Sequence, residues 1–176
     1  MASIFTDKQR VLNALATKQE VNLYLAIGRT SVWADELNPP TPLATDLTLT
    51  ELIYIKKISV KHMVIDDDPY DVYGPDVQVG GYDYHFVADV DAFNENARSV
   101  YFSNTIYYSD IAPINTTFRQ TGILLNPEGA GGVLLTAVEY LGANVIDQGE
   151  VLYINNHTYV TRDPSQSEKF EIILNF

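Results

Sequence analysis

The sequence predicts a mainly β (α+β) fold: an antiparallel, sandwich-like core with an N-terminal helix and one or two short peripheral helices. Three observations predict it. From residue 66 onward, apolar and polar residues alternate in short runs bounded by Gly, Pro, Asn and Asp, the pattern of half-buried strands. Those runs are rich in β-branched and aromatic side chains, in a chain with 12 tyrosines against 7 phenylalanines, and such residues suit a pleated surface. Helical spacing lies mainly in the first third of the chain, and from residue 66 on the signal is nearly all β.

The elements follow in order. Thr6 with Gln9 three residues on has capping-box spacing, and Val11, Leu12 and Leu15 share a face, which predicts a helix over 7–19. VNLYLAIG, 21–28, is apolar and strand-like and closes on Gly28. IGRTSVWADELNPPTP, 27–42, has no regular period, yet it carries the only tryptophan, Trp33, and then Pro39, Pro40 and Pro42. Residues 46–57 are ambiguous. Leu49, Leu52, Ile53 and Lys56 fall at helical spacing, β-branched content argues for a strand, and the spacing favours a short helix. A strand over 60–65 follows. DDDPYDVYGPD, 66–76, reads as a loop.

In 82–90, Tyr84, Phe86, Ala88 and Val90 alternate with polar residues. The aromatic run 98–108 forms a long strand, with Ser103-Asn104 as a bulge or turn. Residues 116–126 form another strand, closed by Asn126-Pro127, and EGAGG, 128–132, is a flexible glycine loop. Residues 133–142 suit helix or strand, with Gly142 as a stop. GEVLYINNHTYVTR, 149–162, reads as a hairpin turning at Asn155-Asn156. The strand 168–176 puts Phe170, Ile172, Leu174 and Phe176 on one face. With 176 residues, no repeat and no clear linker, 1–176 reads as a single domain.

Composition narrows function. There is no cysteine, so disulfides and thiolate metal sites are excluded. With 23 acidic against 11 basic residues the net charge is −12, which repels phosphate backbones and anionic lipid. Neither nucleic acid nor membrane is expected as a partner. No run approaches the ~18 apolar residues of a membrane span, and MASIFTDKQRVLNAL carries charges where a signal peptide needs an apolar core. These features point to a soluble, acidic, intracellular domain.

No enzymatic constellation emerges. His62, His85 and His157 lie far apart in strand-like runs, without metal-ligand spacing, and read as sheet-face histidines. The run Asp66–Asp68, with Asp71 and Asp76, lacks the distal Glu of a calcium loop, and prolines interrupt it. GxGxxG, GxxxxGK[ST] and GxSxG are all absent. Asp66–Asp68 with Glu139 is the only material for a paired-carboxylate hydrolase. A tyrosine-rich surface remains, which suits protein interfaces or a carbohydrate-binding, adhesin-like module. No convergent polar set surrounds 27–42, so that stretch reads as a strap. Prolines lower its ordering cost and Trp33 pins it, either to the chain's own sheet or to a neighbour.

Two blocks taken together carry a family likeness. The first is LYLAIGRTSVWADELNPPTP with TDLTLTELIYIKKISV. The second is FRQTGILLNP, QGEVLYINNHTYV and the terminal EKFEIILNF. In this order they resemble the baseplate wedge subunit of contractile-tailed bacteriophages of the T-even type. The matching positions are Gly28, Arg29, Trp33, Pro39, Pro40, Arg119, Gln120, Asn126, Pro127, Gly149, Glu150 and Phe176. The resemblance implies framework or interface roles for them, with no catalytic, cofactor-binding or metal-binding residue. It implies a virion structural protein of the tail baseplate, assembled in the host cytoplasm. Its partners would be other wedge proteins and a second copy of itself in a homodimer. T-even members carry a large insertion after the segment matching DDDPYDVYG. Here about ten to fifteen residues bridge that gap, so the chain resembles a minimal core.

Overall fold

The computed structural model describes residues 6–66, 74–111, 117–161 and 167–176. The chain divides into two compact units. One comprises Met1–Glu20, Ser59–Ser103 and Phe170–Phe176, the other Val21–Ile58 and Asn104–Lys169. Each holds a five-stranded sheet, and every pairing described below is antiparallel. The mainly β prediction with an N-terminal helix is met.

The first unit opens with α1, Asp7–Gln19. Thr6 caps it, its hydroxyl accepting from Gln9 N at 3.3 Å, while the Gln9 amide turns instead to Asn13. The buried face is narrower than the spacing predicts. Val11 and Ala14 are buried, Leu15 is half-buried and Leu12 is exposed. The helix is tied at both ends, by Arg98 to Asp7 at 3.1 Å and by Lys18 to Asp89. The strands are β3 (Val60–Asp66), β4 (Val77–Val79), β5 (Tyr82–Val87), β6 (Ser99–Tyr107) and β10 (Ser167–Asn175), in the order β10-β6-β3-β5-β4. β6 and β10 contribute residues to both units.

β3 pairs β6 from Val60↔Ser103 to Val64↔Ser99, and pairs β5 from Met63↔Val87 to Asp66↔Tyr84. Met63, Val64, Val100 and Phe102 are buried in this unit. Gly80 and Gly81, both at positive φ, make the two-residue turn joining β4 to β5, a hairpin absent from the sequence reading. β5 ends at Val87, and Val90 is exposed rather than facing a core. The C-terminal strand is anchored by Phe176 N to Arg98 O at 3.0 Å. Asp67, Asp68 and Asp71 lie outside the described residues.

The second unit orders its strands β8-β2-β1-β7-β9. They are β1 (Leu23–Gly28), β2 (Tyr54–Lys57), β7 (Thr117–Leu125), β8 (Glu139–Leu141) and β9 (Glu150–Thr161). β1 lies centrally and all six of its residues are buried. Tyr24, Ala26, Leu49, Ile55, Leu124 and Leu135 form one core cluster. A short helix, α2 (Tyr108–Ile111), follows β6, and a 3-10 turn at Gly142–Asn144 follows β8. Lys56 steadies α2, its ammonium 2.8 Å from Asp110 Oδ2 and 2.9 Å from Thr105 O.

Four expectations are corrected here. The helix favoured for 46–57 does not form, and β2 begins only at Tyr54. Backbone groups that a helix would use are bonded to distant side chains. Gln148 accepts from Leu49 N at 2.7 Å and donates to Leu49 O at 2.9 Å, and Gln120 accepts from Thr50 N at 2.8 Å. The hairpin expected over 149–162 is one continuous strand. Asn155 and Asn156 pair with Thr121 and Gln120 across β7 instead of turning. Ser103-Asn104 lies inside unbroken β6, and the Asn104 amide bonds Lys57 O at 2.8 Å. Gly142 is no helix stop either. Its N bonds Ile53 O at 2.7 Å, and a Cβ there would lie 1.9 Å from Leu52 O.

Among the described residues, no helix is long and apolar enough to cross a membrane.

Candidate functional site: a pinned strap on the β1–β7–β9 sheet

The stretch from Arg29 to Asp46 has no regular structure, yet long-range bonds hold it as far as Pro40. β1 ends at Gly28, which faces Gln120 in β7. A Cβ at Gly28 would meet Thr50 O at 2.8 Å, so only glycine allows the returning chain to pass this close. Arg29 then takes a positive φ of 56°, unfavourable for a branched-out side chain by about 1–2 kcal/mol. The surroundings impose it: Arg29 N bonds Thr50 O at 2.7 Å and Glu51 O at 3.2 Å.

That turn sets Arg29 over Trp33, with the guanidinium carbon 3.7 Å from the ring centroid. Trp33 is 8% exposed, and its Nε1–H donates to His157 O on β9 at 3.0 Å. Trp33 is therefore packed against the chain's own sheet. Glu36 ties the next turn to β7. Its carboxylate accepts from Trp33 N at 2.8 Å and from Arg119 Nε at 2.8 and 3.1 Å. Arg119 also donates to Thr30 O at 2.6 Å. One arginine thus clamps both ends of the strap's first turn onto β7.

Two more side chains complete the attachment. Glu51 accepts from Thr30 Oγ1 at 2.7 Å, Thr30 N at 2.8 Å and Ser31 N at 2.9 Å. These donors, led by the Thr30 hydroxyl, hold its carboxyl down to about 2. Gln120 reaches Asn156 Oδ1 at 2.8 Å, and the Asn156 amide donates to Pro40 O at 2.8 Å. Asp35 caps its own turn through Asn38 and Leu37, and those bonds lower its pKa.

Beneath the strap, the His157 ring meets Phe118 edge-on at 5.5 Å. Its Nδ1–H donates to Thr158 O at 2.7 Å, so Nε2 carries the lone pair, buried without a partner. Burial lowers the His157 pKa, against the opposing effect of the Thr158 bond.

The structure brings the predicted residues together in two groups and leaves one apart. Gly28, Arg29, Trp33, Pro40, Arg119 and Gln120 share the strap site, with Pro39 beside Pro40. The second group is Asn126, Pro127, Gly149 and Glu150, at the far end of the β7–β9 pair, where Glu150 faces Leu125. Asn126 has a positive φ of 53°. Pro127 O accepts from Leu135 N at 2.9 Å. Gly149 also has positive φ, and a Cβ there would sit 2.3 Å from Leu125 O. Phe176 lies in the other unit. Sequence reasoning did not single out Glu36, Glu51, Gln148, Asn156 or His157 as members of the site. Their partners lie up to 124 positions away, and local pattern holds no sign of such pairing.

A groove of about 570 Å³ borders the strap, lined by Trp33, Pro40, Leu43, Leu47, Gln120 and Asn156 among others. The amides of Gln120 and Asn156 are already committed to protein partners. Glu36 and Glu51 are likewise engaged, so this arrangement offers framework rather than acid–base chemistry. Among the described residues, no group of three or more His, Cys, Asp or Glu could hold a metal ion.

Comparison with known proteins agrees with the likeness carried by the strap and the terminal strands. The chain is 31% identical over 180 residues to "Virion protein 3" of Enterococcus phage phiEF24C, a match covering 98% of this chain and 95% of that protein. The relative is thus of similar length. Residues 1–176 match the sequence model of a family described as "Baseplate wedge 3 tail fiber network component". The chain belongs to this family of phage baseplate wedge components, which places it in the virion, in the tail baseplate.

Proposed function

We propose that the chain is a non-enzymatic structural component that acts through protein–protein contacts as the baseplate wedge assembles in the host cytoplasm. Its two units work together as one structural domain over 1–176, and its partners are other baseplate wedge proteins. One observation carries the reading. The side chains best placed for chemistry, Arg119, Glu36, Glu51 and Gln120, are consumed in fixing an irregular strap to a sheet. Such a site builds a rigid surface rather than a reaction centre. Gly28, Arg29, Trp33, Pro39, Pro40, Arg119 and Gln120 are framework residues of that surface. Asn126, Pro127, Gly149, Glu150 and Phe176 hold the far strand ends.

The test is a phage in which a stop codon replaces an early codon of this chain, grown with and without suppression. Without suppression, purified particles should lack complete baseplates and be non-infectious. Infectious particles with normal baseplates would overturn the reading.

A further inference from the structure

We propose that the excursion between β7 and β9, residues 126–149, docks a different protein of the particle, one whose contacting surface is apolar and rimmed by lysine or arginine. The proposal rests on the reading above that the chain acts through protein contacts.

The excursion presents five large apolar side chains to solvent: Val133 at 64%, Leu134 at 44%, Val138 at 63%, Leu141 at 39% and Ile146 at 71% exposure. Isolated exposed apolar residues are ordinary, whereas several on one short segment mark a contact surface. The backbone gathers them. Glu128 bridges Leu134 on one edge and Asp147 on the other, which draws the 133–134 and 146 stretches into one small bridged patch with residue 128 between them. The segment is also firmly held. Gly129 N bonds Val133 O, Leu135 N bonds Pro127 O and Ile146 N bonds Glu128 O, at 2.8, 2.9 and 2.8 Å. The buried Tyr24 hydroxyl reaches Leu135 O and Ala137 O at 3.0 and 2.8 Å, and the Tyr140 hydroxyl accepts from Thr136 N and Ala137 N. A backbone fixed in place this way loses little conformational freedom on docking.

Charge chooses the occupant. From Gln120 to Thr161 the chain contains no lysine or arginine; Lys57 of β2 reaches Thr136 O at 3.3 Å, and against it stand Glu128, Glu139, Asp147 and Glu150, in or beside the excursion. A second copy docked by the same face would set these carboxylates against their own kind, since a two-fold contact matches a patch to itself. A cation-rimmed apolar partner satisfies both features.

The experiment places a photo-crosslinking amino acid at Val138, at Ile146 or, as a control, at the exposed Lys8 of α1, in the phage that encodes this chain. Purified particles are irradiated and the adducts sequenced. The expected result is an adduct from 138 and 146 to one other virion protein, at a site flanked by lysine or arginine. Adducts to a second copy of this chain, or to an acidic site, overturn the proposal. So does the absence of adducts from 138 and 146 when Lys8 crosslinks, while leaving the structural role intact. Silence from all three positions counts against the structural role itself. A second arm compares Val138→Lys with Val138→Glu, both checked for unchanged melting. Lysine should lower incorporation into particles about tenfold more than glutamate. Equal incorporation, or a greater loss with glutamate, also overturns the proposal.

Discussion

Removing the single indole tests the strap most sharply. Trp33→Ala deletes a side chain that is only 8% exposed, together with its hydrogen bond to His157 O and the surface on which Arg29 stacks. Truncating a buried aromatic costs about 3–5 kcal/mol. The orphaned carbonyl and the lost cation–π contact, about 1 kcal/mol each, fall within that range and place the expected value near its middle. At about 4 kcal/mol, a chain of this size should melt roughly 8–16 °C lower. Trp33→Phe keeps most of the apolar area but not the N–H donor, and should cost about 1–2 kcal/mol. Thermal melting followed by circular dichroism measures both. The wild-type indole supplies an independent readout, because it is the only one in the chain: its emission should shift only as the sheet unfolds. A Trp33→Ala protein melting within about 2 °C of wild type would refute the reasoning. Wild-type emission already typical of water-exposed indole would refute it as well.

Three further outcomes follow from the same geometry. In a double-mutant cycle, Arg119→Met and Glu36→Gln should couple by about 1–3 kcal/mol, since the pair bonds directly and Arg119 is almost fully buried; chemical denaturation of the four proteins measures it, and additive effects would dissolve the clamp. His157 titrates below its ordinary value in the fold, so its neutral form is favoured there. Its contribution is fully present above about pH 6.5 and is lost as pH falls through the lowered folded pKa. Stability measured from pH 7.5 to 5 should therefore decline, and His157→Phe should flatten that decline. Gly149→Ala should destabilise by more than about 2 kcal/mol, because the residue has positive φ and the new methyl would strike Leu125 O; urea unfolding with a change below about 0.5 kcal/mol would contradict the close-approach argument.

Local signals were legible where local physics decides. Thr6 and the apolar spacing after it place α1 over 7–19, and the apolar 21–28 run marks a strand, found at Leu23–Gly28. The terminal alternation marks β10. Proline stiffening and one large aromatic sufficed to read 27–42 as a strap. Two features resisted because distant partners overrule local preference. Leu49, Leu52, Ile53 and Lys56 have helical spacing, but Gln148 and Gln120 capture the backbone of Leu49 and Thr50 first. Asn155-Asn156 has turn chemistry, but pairing with β7 and the bond to Pro40 hold it extended. Gly80-Gly81 is a strong turn pair that escapes for another reason: β4 before it has only three residues, too short for alternation to register. Within the site, Gly28, Arg29, Trp33, Pro40, Arg119 and Gln120 were singled out as family positions. The carboxylates that hold the strap, Glu36 on Trp33 N and Arg119 and Glu51 on Thr30 and Ser31, were not, since nothing in their neighbourhood shows which donors they meet.

The central claim is that this chain is a rigid structural part whose strap belongs to its own fold and whose β7–β9 excursion meets a foreign, basic neighbour. A high-resolution electron cryomicroscopy map of the intact baseplate tests it most directly. The account predicts the Trp33 indole on the chain's own His157 carbonyl, with Val133, Val138 and Ile146 against a lysine- or arginine-rimmed surface of another protein. Trp33 swung out into a neighbouring subunit, or that excursion facing open solvent in the assembled wedge, would contradict it.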